Sequence, residues 1–173
     1  PQRGRRREHW QLNADLMGIA GTEADVEIIS LAYKIMKEFG AKDEDFSIRI
    51  SSRKALPEGT DMENVRKMDR GEETGVEVRE TEEIRKILEK LKEKGINNAV
   101  FDPKIVRGFD YYTGMVFEVF DTHQDNNRSL CGGGRYDNLL EIFEVEPVPT
   151  VGFGMGDITL RDFLETHGLP THA

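Results

Sequence analysis

Arg107, Asp110, Tyr111 and Tyr112 gather a permanent cation, a carboxylate and two phenols into the short stretch Val106-Arg107-Gly108-Phe109-Asp110-Tyr111-Tyr112-Thr113-Gly114. The next residues, Met115, Val116, Phe117, Glu118, Val119 and Phe120, form a nearly continuous apolar run. Such a run reads as a strand buried on both faces of a sheet. A guanidinium at the mouth of a buried strand needs a partner, because an uncompensated charge taken out of water is expensive. Two readings are open here. Arg107 and Asp110 form a structural ion pair while the tyrosines cap the core, or the group faces a pocket whose ligand carries the answering charge.

Two other stretches have the residue types for gripping a small polar ligand. From residue 7 to 16, Trp10, Leu12, Ala14 and Leu16 alternate with His9, Gln11, Asn13 and Asp15, which predicts a strand with one dry and one wet side. The wet side carries short, directional hydrogen-bonding groups, either a binding surface or an ordinary half-exposed strand. Gly132, Gly133 and Gly134 follow a strand expected at 128–131. They suggest positive φ, a flexible turn, or a ligand resting on bare main chain. In 150–156, Gly152, Gly154 and Gly156 recur with period two while Val151, Phe153 and Met155 occupy the other face. A bare strip of this kind admits a flat ring.

The elements that must carry these groups follow from periodicity. Thr22, paired with Asp25 in a capping-box-like arrangement, opens a helix that runs inward through Val26, Ile29, Tyr33, Met36 and Phe39 and stops at Gly40. Phe46, Ile48 and Ile50 predict a short strand, expected beside the first one in an antiparallel sheet. Residues 54–80 read as a charged loop with one short helix around 62–68. Thr81 caps a second helix with Ile84, Ile87, Leu88 and Leu91 inward, and residues 99–101 form a short strand. Arg135, Tyr136 and Asp137 are expected to start a helix ending near Phe143. Asp157 is expected to cap a last helix with Leu160, Phe163 and Leu164 inward.

At 173 residues the chain has room for one sizeable core. With 37% hydrophobic and 33% charged residues it reads as a soluble globular protein, with neither a membrane span nor a signal peptide pattern, so a cytoplasmic location is expected. One cysteine, Cys131, rules out an internal disulfide framework, and the four histidines lack ligand spacing, so no protein-bound metal is expected. A net charge of −9 argues against a surface coated for nucleic acid, yet Arg3, Arg5, Arg6 and Arg7 form a local basic cluster.

The run from Arg107 to Glu118 resembles the histidine-pocket signature of histidyl-tRNA synthetases. Cys131-Gly132-Gly133-Gly134-Arg135-Tyr136-Asp137 resembles their second family-specific motif. The stretch from Gly4 through Asp15 is similar to the later part of motif 2 of class II aminoacyl-tRNA synthetases, and 150–156 looks like motif 3. The resemblance implies an α+β fold: a mostly antiparallel sheet flanked by helices, the class II synthetase catalytic core, incomplete at its N-terminal side. It also implies ATP-dependent formation of histidyl-adenylate and transfer to tRNA(His), with magnesium held through the ATP phosphates. By that likeness Arg107 is the catalytic cation. Histidine would be held by Gln11, Asp15, Arg107, Tyr111, Tyr112, Gly132 and Gly134. ATP would be held by Arg5, His9 and Gln11, by Gly152, Gly154 and Gly156, and by Arg161.

On this likeness residues 1–53 hold the motif 2 strand, a helix and part of the sheet, and 54–98 a reduced insertion region with a helix. Residues 99–168 hold the histidine-specific motifs and motif 3, and 169–173 begin a linker to an anticodon-binding domain. Motif 1, expected to build a homodimer in the full-length parent, has no counterpart here, so a catalytic-core fragment is expected. Asp15 stands where the family more often has glutamate, and Thr159 where motif 3 usually offers an arginine; Arg161 follows two residues later. A second protein class with the same resemblance, the histidine-sensing regulatory subunit of ATP phosphoribosyltransferase, therefore stays open, as does a noncatalytic interaction module on the same scaffold.

Overall fold

The computed structural model describes residues 7–126 and 128–171. Its frame is one six-stranded sheet made from β1 (Gln11–Met17), β2 (Phe46–Ser52), β3 (Ala99–Phe101), β4 (Met115–Asp121), β5 (Ser129–Arg135) and β6 (Thr150–Gly156), in the order β1-β6-β5-β4-β2-β3. All neighbours are antiparallel except β2 and β3, which run parallel. The expected sheet class therefore holds. Strand order differs from expectation: β2 lies between β4 and β3, far from β1. The physical reason is burial: β2 is buried along most of its length and takes an interior place between β4 and β3, whereas the thinly covered β1 lies at an edge.

Helices α1 (Thr22–Glu38), α3 (Glu82–Glu93) and α4 (Asp157–Thr166) pack on one face of the sheet, while α2 (Met62–Asp69) lies near the loop that precedes β4. The main core joins Ile29, Met36, Ile84 and Leu91 from the helices to Ile48, Phe117 and Phe153 from the strands. Thr81 caps α3 as the sequence predicts, its hydroxyl accepting from the Ile84 amide at 3.3 Å. Asp61 does the same for α2, accepting from Asn64 at 2.7 Å. The other two expected caps are corrected. Gly21 and Gly156 stand at the N-cap positions of α1 and α4 without a side-chain bond. Asp25 is instead drawn into the core by Arg135, and Asp157 accepts from the Trp10 amide at 3.0 Å, which fixes the start of β1.

Residues 132–134 are also corrected: they belong to β5, which runs on through Arg135, and none of them has positive φ. The helix expected after Arg135 shrinks to a 3-10 turn over Leu139–Phe143. Among the described residues no helix is long and apolar enough to cross a membrane.

Candidate functional site

The face of the sheet opposite α1 and α3 carries the polar groups, and the strand register sets their layout. Asp15 pairs with Gly152, which pairs with Gly134; one row along, Asn13 pairs with Gly154, then Gly132, then Glu118. Gln11 pairs with Gly156 in the third row. Each row is displaced by two residues, about 7 Å along the strand. Wherever β1 presents a polar side chain, its neighbour on β6 has none.

Close contacts explain the glycines. A Cβ on Gly152 would run into the Asp15 carboxylate and come within 2.6 Å of the Tyr136 hydroxyl, and one on Gly154 would lie 2.6 Å from the Gln11 amide nitrogen. The expected bare strip is thus partly filled by protein: Asp15 and Gln11 lie over it, and only Gly156 has open space above it. Gln11 Nε2 donates to Asn13 Oδ1 at 2.7 Å, and the Tyr136 hydroxyl donates to Asp15 Oδ1. Burial, reinforced by that carboxylate, holds the Tyr136 phenol above its ordinary range and therefore protonated.

Arg107 has φ of +53°, a left-handed conformation uncommon outside glycine. Its guanidinium lies where Gly132 would otherwise carry a Cβ, and Nη1 donates to Glu118 Oε1. The rings of Tyr112 and Phe109 flank it at 5.8 and 5.9 Å. Asp110 is not its partner: both oxygens of that carboxylate accept from Arg66 Nη2 at 3.0 Å, so the structural pairing of 107 with 110 is corrected. Burial works against the charge on Arg107, but Tyr112 and Glu118 outweigh it and the group stays cationic. Burial also raises Glu118, against the pull of Arg107, and lifts the Tyr112 phenol to about 12. The Arg107 Nε is buried without a hydrogen-bond partner, which leaves one donor of the fork unused.

Arg107, Tyr112, Asn13 and Tyr136 line one cavity of about 670 Å³, and Glu118 stands behind Arg107 outside its lining. Of the residues expected from sequence, Gln11, Asp15, Arg107, Tyr111 and Tyr112 line it, and so do Gly132, Gly152, Gly154 and Gly156. Gly134 sits beneath the Tyr112 ring, whose carbons would be 2.9 Å from an added Cβ, so it seats the ring rather than facing the cavity. His9 is exposed ahead of β1 and outside the lining. Arg161, expected to meet a nucleotide, is turned to solvent on α4 with its Nε bonded to Glu165 Oε1 at 2.7 Å, and Thr159 is the α4 side chain at the cavity. The helix begins at Asp157, which fixes residues 159 and 161 on different faces. Arg5 lies outside the described residues.

Several site residues were missed from sequence. Glu118 had a signal, since it is the single charge inside the apolar run 115–120. Tyr136 and Asn13 had weaker ones. In the motif 131–137 the roles divide cleanly: glycines give clearance, Tyr136 serves the cavity, and Arg135 anchors the core. Arg135, 2% exposed, pairs with Asp25 at 2.8 Å and donates to the carbonyls of Ile19 and Gly21 at 3.1 Å, tying the turn after β1 to β5. Burial raises the Asp25 carboxyl to about 6 in spite of the neighbouring guanidinium.

The family model described as histidyl-tRNA synthetase matches residues 51–157. A histidine–tRNA ligase from Leptospira biflexa serovar Patoc is 36% identical over 98% of this chain and 50% of its own length. Among solved structures, apo Staphylococcus aureus histidyl-tRNA synthetase superposes with a TM-score of 0.68 at 26% identity, covering 92% of this chain and 41% of that one. An ATP phosphoribosyltransferase regulatory subunit/histidyl-tRNA synthetase from Bacillus halodurans gives 0.67 at 23% identity, covering 84% and 50%, a likeness of fold. The chain spans about half the length of the curated relatives it matches.

Proposed function

The chain belongs to the histidyl-tRNA synthetase family, and from that premise we propose that the protein activates histidine with ATP and transfers it to tRNA(His). The reaction would be attack by the histidine carboxylate on the α-phosphorus of ATP. One P–O bond forms as the bond to the β-phosphate breaks, giving histidyl-adenylate and pyrophosphate. The terminal ribose of tRNA then displaces AMP. No covalent enzyme intermediate is needed, so rate comes from alignment and from positive charge placed where negative charge builds.

The observation that carries this reading is that Arg107, Gln11 and Asp15, scattered in sequence, meet in one cavity over a glycine floor. Arg107 is suited to bridge the substrate carboxylate and the α-phosphate: its fork is rigid, it stays charged, and its Nε is unused. The Asp15–Tyr136 pair offers an acceptor and a hydroxyl at one end of the floor, one row from Arg107, where an imidazole with one donor and one acceptor could be read. Magnesium would come with ATP through phosphate oxygens. The basic residues Arg3, Arg5, Arg6 and Arg7 suit the acceptor end of tRNA, and the whole protein is proposed to work as a homodimer.

The test is histidine-dependent exchange of labelled pyrophosphate into ATP by the full-length protein. Arg107→Ala is expected to lower the exchange rate by roughly 10²- to 10³-fold. Tight histidine binding with no exchange would overturn the reading in favour of a histidine-sensing regulatory subunit. One feature favours that second class: Arg161 is committed to Glu165, so α4 brings no cation to the cavity.

A further inference from the structure

Arg107 occupies a backbone region that costs a non-glycine residue energy unless its surroundings over-determine it. Its side chain is held by Glu118 and the rings of Phe109 and Tyr112, but its backbone is held from residues 53–69, a stretch that supplies none of the cavity lining. Arg53 Nη1 donates to the carbonyls of Val106 at 3.4 Å and Arg107 at 3.5 Å, long bonds that bracket the strained residue. Arg53 Nη2 is held in turn by Met62 Sδ, at the start of α2, at 2.8 Å. At the other end of α2, Asp69 rests against Gly108, where an added Cβ would meet Oδ2 at 2.8 Å. Between them Arg66 grips both oxygens of Asp110 at 3.0 Å, and Val65, 1% exposed, seats the helix. One short helix with its leading arginine therefore touches positions 106, 107, 108 and 110 in turn.

We propose that residues 53–69 act as a strap that positions Arg107 for the reaction, so that Arg53, Arg66 and Asp69 are positioning residues that never touch substrate. The strap is assembled from charges on its own side. Burial pulls the Arg53 guanidinium down, and Asp110 and Asp69 oppose that pull, so one set of charges links arginine, helix and loop. Asp69 also adds to the upward pressure on Glu118, the partner of Arg107, so the strap reaches the cation through its counter-ion as well as through the backbone. Moving α2 would shift the backbone of Arg107 and the field around it together.

The inference about activity rests on the synthetase reading above, and the test separates the two. In the full-length protein, Arg66→Asp and Asp110→Arg are made singly and together. Each single reversal replaces an attraction by a repulsion and is expected to lower kcat for pyrophosphate exchange by about three- to five-fold. The KM for ATP is expected to stay within about two-fold, because the loop orients a transition-state contact. The double reversal restores the pair and is expected to recover kcat. In parallel, amide hydrogen exchange of 106–112 is expected to speed up in the singles and return in the double. Unchanged kcat and unchanged amide exchange in the singles would overturn the strap, as would a double no better than either single. If the unsubstituted protein shows no exchange of pyrophosphate at all, the synthetase reading fails; the amide exchange then decides alone whether α2 holds the loop.

Discussion

Gly133 lies on the core side of β5, the strand whose next-door Gly132 lines the cavity. It sits mid-strand in β5, between β4 and β6, opposite Phe153 on β6 and Phe117 on β4. A methyl group there would collide with the Gly152 carbonyl and lie 2.6 Å from Phe153 Cα and 2.7 Å from Phe153 Cβ. Backbone on a central strand cannot yield without parting the ladders on both sides. The cost of Gly133→Ala should thus lie at the upper end for overpacking, about 3 kcal/mol. In a chain of this size that is a fall of roughly 6–12 °C in Tm. Gly156→Ala is the internal control: nothing lies within 4 Å of its Cβ, so stability should stay within about 0.5 kcal/mol. Gly154→Ala falls between, because the obstacle is the Gln11 side chain 2.6 Å away, which can rotate. It should cost little stability while raising the KM for a ligand that uses Gln11. Thermal and urea denaturation of the three variants, followed by circular dichroism, ranks them. If Gly133→Ala is as stable as the unsubstituted protein, or less disturbed than Gly156→Ala, the account of these glycines as clearance is refuted.

The Arg107–Glu118 pair makes a second prediction: their side chains are 18% and 19% exposed, so removing either partner strands the other. Arg107→Ala and Glu118→Ala should each cost about 3 kcal/mol, and the double variant clearly less than their sum, a coupling that a double-mutant cycle by urea denaturation measures. Alkaline pH gives a third. Burial raises Cys131 from 9.0 to about 12 and Tyr112 from 10.0 to about 12, so the unfolded chain releases these protons before the folded one does. Their contribution is complete below about pH 9 and is lost as pH rises toward 12, at about 1.4 kcal/mol per pH unit for each group in its window. Cys131→Ala should flatten the decline that starts near pH 9, seen in urea midpoints from pH 8 to 11, and Tyr112→Phe the one that starts near pH 10.

Local structure was legible wherever one element decides its own fate. The residues of β6 and the cap and inward face of α3 lie where period and capping chemistry put them, and the short helix expected around 62–68 forms as α2. Strand order was not legible, since β1 and β2 share the same alternation and only coverage by distant helices separates an edge from the interior. The site divides along the same line. Gln11, Asp15 and Arg107 were recognisable as chemistry, and their convergence follows from the register of β1 on β6 and β5. The partners were not: Arg107 answers Glu118 instead of Asp110, and Arg135 answers Asp25, pairs set by the sheet and invisible to spacing along the chain. Burial hid the second completely, because Asp25 near a helix start looks like any acid in a first turn.

The glycine pattern of β6 carries the strongest link between sequence and chemistry, though in a different sense from the one its spacing suggests. Alternate glycines open one face of a strand, and here that opening is filled from the side by β1, so glycine and polar residue form complementary halves of one surface. What remains open is therefore ordered. The row of Asp15 and Gly152, with Tyr136 above it, lies at one end, and Gly156 with nothing over it at the other, about 13 Å along the strand. Between them is the row of Gly154 and Gly132, and over Gly132 lies the Arg107 guanidinium. On the proposed reaction this sequence of rows has a direct meaning: a ring reader at one end, the cation in the middle, an open floor at the far end. Histidyl-adenylate has the same order, imidazole, acyl phosphate and adenine. A substitution that exchanges the ends, filling Gly156 while emptying Asp15, should abolish adenylate formation while leaving the fold intact, since neither change touches the core face of the sheet.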